Sequence, residues 1–82
     1  MHITEMSRAT GASVDELRYM ETKGFLDVTK AQLKRRQVRE YQKSDVRRVQ
    51  IVIKYRRQGF TWDTALKRAE QELNNPSLFD NV

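Results

Sequence analysis

Two short helical periods lie on either side of Gly11-Ala12-Ser13, and that break constrains the fold more than any other feature of the chain. Ahead of it, Ile3, Met6 and Ala9 recur every third residue, with Thr4 placed to cap a first helix. Gly11 suits the left-handed backbone that closes a helix. Behind it, Ser13 and Glu16 form a capping-box pattern, a hydroxyl followed three residues later by a carboxylate. Val14, Leu17 and Met20 then share one face. The pattern predicts helices over 4–10 and 14–23 joined by a tight turn, a helix-turn-helix.

The segment from Phe25 to Tyr41 has no helical period. It alternates at 26–29 and again at 36–41, around a basic stretch from Lys30 to Arg36, which predicts a two-stranded hairpin with a charged tip. Ser44 is placed to cap a third helix over 44–58, with a stripe of Val46, Val49, Val52 and Ile53. Ile51 and Tyr55 widen that stripe toward a self-association surface. Thr61 is placed to cap a fourth helix over 61–74, in which Trp62, Ala65, Leu66, Ala69 and Leu73 follow the helical repeat. Asn74-Asn75-Pro76 ends it. The expected fold is mainly α with a small β-hairpin, in one domain over 1–75. The tail over 76–82 reads as flexible, with Leu78 and Phe79 able to dock on a neighbour or cover the core.

Charge divides the same way. Of 82 residues, 16 are Lys or Arg and 11 Asp or Glu, a net charge of +5. Residues 1–25 carry −1, residues 26–43 and 44–60 carry +4 each, and residues 61–82 carry −2. A cationic middle beside a near-neutral remainder is the footprint of a polyanion partner. No apolar run approaches the ~20 residues of a membrane span, and the first residues lack the layout of a signal peptide. Without cysteine there is no thiolate metal site, disulfide or Cys nucleophile. The single histidine, His2, reads as a surface residue, so neither a metal site nor a Ser-His-Asp set is available. Three isolated glycines form no phosphate loop. The chain is expected to be non-enzymatic, cofactor-free and cytoplasmic, at the nucleoid when DNA-bound.

Four stretches, in order, carry a resemblance. Ile3-Thr4-Glu5-Met6-Ser7-Arg8-Ala9-Thr10-Gly11 resembles the first helix and turn of the MerR family of winged helix-turn-helix regulators. Leu17-Arg18-Tyr19, Glu21 and Gly24-Phe25-Leu26 resemble its second-helix signature. Arg39, Tyr41, Asp45 and Val46 resemble its wing strand and third helix, and Arg56 with Gly59-Phe60-Thr61 the junction before its fourth. The resemblance implies a transcriptional regulator that binds double-stranded DNA, with the second helix in the major groove and the wing along the backbone. Ser13, Arg18 and Tyr19 would then contact DNA from the second helix. Lys34, Arg35, Arg36 and Arg39 would grip phosphates from the wing, supplying affinity and steering.

This sequence departs from the family's pattern at three places. Asp15 and Glu16 stand where a basic or small polar residue and a threonine are usual, Met20 replaces a second tyrosine, and Gln37-Val38 replaces Gly-Tyr. Carboxylates there suit a helix N-terminus through its dipole; alternatively one accepts from a cytosine amino group, or the helix binds a protein. The family's long dimerisation helix and sensor domain have no counterpart in these 82 residues, so no small-molecule effector is expected. The pattern resembles the small, effector-free branch that includes phage excisionases, which keeps open an architectural DNA-binding role. A chaperone-modulating adaptor that binds protein is the alternative of another class. So small a domain is expected to act in two or more copies, as a dimer or side by side on DNA.

Overall fold

The computed structural model describes residues 1–26, 28–33 and 36–74, with the backbone alone for 29–33 and 36–39. Its elements are α1 (Ile3–Thr10), α2 (Val14–Thr22), β1 (Thr29–Leu33), β2 (Arg36–Glu40), α3 (Asp45–Arg57) and α4 (Trp62–Asn74). The four helices lie where their apolar periods place them, within a residue at each end. The expected tail over 76–82 lies outside the described residues.

β1 and β2 pair antiparallel, Thr29 opposite Glu40 and Leu33 opposite Arg36. The first strand thus runs over 29–33 rather than 26–29. The cause lies in how α2 ends. Gly24, at φ 74°, lets its amide donate to Glu21 O at 3.0 Å and that of Phe25 to Met20 O at 3.0 Å, a Schellman closure. Phe25 and Leu26 then both bury, each 6% exposed. Two consecutive inward side chains do not fit a strand, whose side chains alternate, so pairing starts only beyond them. The same closure ends α3: Gly59, at φ 99°, donates to Arg56 O and Phe60 to Tyr55 O, at 3.0 and 3.2 Å.

Two of the four expected caps form. Ser13 and Glu16 make both halves of the capping box on α2, and the Thr64 amide donates to Thr61 Oγ1 at 3.3 Å. Thr4 caps nothing, because α1 starts one residue earlier: the Met6 amide donates to His2 O at 2.9 Å, and Tyr41 N–H to Met1 O at 2.7 Å fixes the chain beside the end of β2. The Ser44 hydroxyl makes no cap bond. Its backbone is already helical, and the amides of Asp45 and Val46 are taken by the carbonyls of Gln42 and Lys43.

The core sits between α1, α2, α3 and α4, where Met6, Leu17, Met20, Val49, Val52, Ala65 and Ala69 are all 0% exposed. Ile51 and Tyr55 are 7% and 8% exposed. They therefore belong to this core and leave no widened apolar face on α3. Tyr41, after β2, is buried with its hydroxyl 3.4 Å from Glu21 Oε2, which ties the end of the hairpin to α2.

Candidate functional site

The turn between α1 and α2 is braced from within. Thr10 Oγ1 donates to Met6 O at 2.7 Å and accepts from the Ala12 amide at 3.2 Å, while the Ser7 hydroxyl donates to Ala12 O. Ala12 is buried beneath it. This leaves Ser13 exposed at the head of α2, its hydroxyl already accepting the Glu16 amide at 3.1 Å. Asp15, Arg18 and Thr22 follow at helical spacing and are all exposed. The Arg18 guanidinium has no partner among the described residues.

The flank of α2 beside this exposed strip is held by the α3–α4 corner, while Leu17 and Met20 face the core. Arg57, the last residue of α3, donates from Nη1 to Glu16 Oε2 at 3.0 Å and from Nη2 to Oε1 at 3.1 Å. One turn on, the half-buried Tyr19 ring stacks on Trp62 at 4.5 Å between centroids, tilted by 33°. Arg56 lies over the other aromatic of this pair, its guanidinium 4.7 Å from the Trp62 centroid, and donates to Phe60 O at 2.7 Å. Its buried Nε has no hydrogen-bond partner among the described residues. The cation over the indole offsets part of that cost. Lys23 approaches Tyr19 at 5.5 Å.

The electrostatics follow the contacts. The Arg57 hydrogen bonds, ahead of those from Ser13, hold the Glu16 carboxyl below the ordinary glutamate range despite partial burial. The same pair raises Arg57. Glu72 on α4 is raised by burial, but hydrogen bonds from Tyr55, at 2.8 Å, and from Lys54 outweigh this and lower it overall. Burial, then the bond to Glu72, pushes Tyr55 up.

The cationic middle thus divides. On α3, Lys54 is bound to Glu72, Arg56 to Phe60 O and Arg57 to Glu16. Arg48 reaches Phe25 O at 3.3 Å and Asp45 at 3.8 Å. Much of this charge is spent inside the fold. Of the residues expected on the hairpin, Arg36 and Arg39 lie on β2, opposite Leu33 and Lys30, while Lys34 and Arg35 fall outside the described residues. His2, on the surface, lies 3.7 Å from Glu40. Arg57 was not among the expected site residues. Nothing local marks it, since its partner is 41 residues away.

A short helix, a braced three-residue turn and a second helix with one side exposed define a helix-turn-helix protein. The sequence model of the MerR HTH family regulatory proteins matches residues 1–72. The chain belongs to that family, a family of DNA-binding transcription regulators rather than enzymes. A comparison with curated proteins finds no match. No helix among the described residues is long and apolar enough to cross a membrane.

Proposed function

We propose that this protein is a small transcriptional regulator that binds specific sequences in double-stranded DNA. α2 enters the major groove, and the β1–β2 hairpin serves as the wing on the flanking backbone. The observation that carries this reading is an exposed strip of α2 whose adjoining flank is anchored to the rest of the fold. Glu16 and Tyr19 are held by the α3–α4 corner, whereas Arg18 faces solvent unpaired among the described residues. An arginine so placed can take a guanine edge or a phosphate. Ser13 stands at the head of the same helix. The Tyr19 hydroxyl, which has no hydrogen-bond partner among the described residues, is a donor for phosphate. Lys34, Arg35, Arg36 and Arg39 supply phosphate contacts from the wing.

The functional domain is 1–75, the cell compartment is the cytoplasm, and binding is by two or more copies on one duplex. Because Ile51 and Tyr55 are buried, those copies do not meet through them. The alternative of a protein-binding adaptor rested on paired carboxylates at the head of α2. Glu16 is committed to Ser13 and Arg57, which leaves only Asp15 to support it.

Selection from a random duplex pool at physiological salt tests the proposal. An enriched motif with Arg18-dependent positions is expected, with a spacing that reports the copies bound. A pool that stays random while the protein remains folded would contradict it.

A further inference from the structure

Arg57 joins three points of the helix-turn-helix. Its two terminal nitrogens meet the two oxygens of Glu16 at 3.0 and 3.1 Å, and Nη2 also lies 3.4 Å from Gly11 O at the end of α1. Glu16 Oε1 in turn accepts from the Ser13 amide at 2.9 Å. One side chain from the end of α3 therefore spans the turn and grasps the first turn of α2. A planar fork on a carboxylate fixes direction as well as distance, which a point charge cannot do. Trp62 holds Tyr19 one turn along the same side. Together the two contacts restrain rotation of α2 about its axis, and that rotation decides how the adjoining exposed strip of Asp15, Arg18 and Thr22 is presented.

We propose that Arg57 is a positioning residue for base selection, acting through Glu16 to set the roll of α2 rather than gripping a phosphate itself. This rests on the DNA-reading role proposed above. The pair also neutralises the Glu16 carboxylate, which would otherwise repel the backbone entering beside α2. Consistent with that, hydrogen bonding to Arg57 keeps Glu16 ionised below the ordinary glutamate range.

The test compares affinity for the selected duplex with affinity for a scrambled one, as a ratio, together with the salt dependence of each. The variants are Glu16→Gln, Arg57→Gln, their double and Arg57→Lys. Glu16→Gln leaves the capping box an acceptor, and Arg57→Lys keeps the charge but loses the fork, so at least one variant is expected to fold as the wild type does by circular dichroism. Each single Gln variant is expected to lower the ratio about three- to fivefold, the range of a half-exposed ion pair, with the double no worse than either single. Arg57→Lys lowers it too, and the salt slopes stay unchanged. Unchanged ratios with a slope shallower by about one in Arg57→Gln would make Arg57 a phosphate contact and overturn the proposal. Unchanged ratios with only a lower melting temperature would make it a structural brace and overturn it as well. A wild type that fails to distinguish the two duplexes would overturn the functional reading and this inference with it, whereas discrimination retained in every variant would overturn this inference alone.

Discussion

The Tyr19 ring stacks on Trp62 at 4.5 Å, tying the middle of α2 to the first residue of α4. Offset aromatic pairs are worth about 0.5–1.5 kcal/mol beyond the area they bury. A double-mutant cycle of Tyr19→Leu and Trp62→Leu, measured by urea unfolding, is expected to give a coupling in that range. Strict additivity would show that the stack adds nothing to burial.

The two serines expected to cap helices differ in the structure. Ser13 accepts the Glu16 amide, and Ser44 makes no cap bond. Ser13→Ala is expected to cost about 1 kcal/mol and Ser44→Ala under about 0.5 kcal/mol, measured by calorimetry. Equal costs would contradict the geometry at one of the two helix starts.

Acid should expose the Glu16–Arg57 pair. The Glu16 carboxyl titrates lower in the folded chain than in the unfolded one, chiefly through its hydrogen bonds to Arg57. Its contribution is therefore complete above the unfolded value and is lost as pH falls through the folded one. Unfolding midpoints in urea, followed from about pH 7 to about pH 3, should fall less steeply for Glu16→Gln than for the wild type. A steeper fall in the variant would reverse the sign and contradict the pairing.

Gly59 closes α3 with φ 99°, and a Cβ built there meets nothing within 4 Å. Gly59→Ala should therefore cost about 1–2 kcal/mol from backbone strain alone. A larger loss in thermal unfolding would mean a clash that the geometry does not contain.

Much of the fold was legible because its signals are local. Ser13 and Glu16 lie three residues apart, the glycines stand at the ends of α2 and α3, and α4 carries an uninterrupted apolar period. What was hidden depends on contacts between distant elements. The strand starting at Thr29 was displaced because Leu26 is drawn into the core, and Ile51 and Tyr55 are buried rather than left as an apolar face. Arg57 reads as one more cation on a basic helix until the fold brings Glu16 to it from 41 residues away. Even the charge count misled in part, since Lys54, Arg56 and Arg57 are engaged internally.

The wing residues and Arg18 are expected to fail differently. Arg35→Ala with Arg36→Ala should weaken binding to all duplexes alike and make the salt slope shallower by about two. Arg18→Ala should weaken the selected duplex more than a scrambled one, by about 1–3 kcal/mol if it pairs with guanine. Competition titrations with both duplexes separate these patterns; identical losses on each duplex from Arg18→Ala would remove it from base reading.

The central claim, that the basic hairpin and α2 together engage a duplex, is tested most directly by fluorescence anisotropy on one duplex over rising salt. With about six phosphates neutralised, log affinity should fall against log salt with a slope of about −5. A flat response, or no binding at low salt, would contradict it.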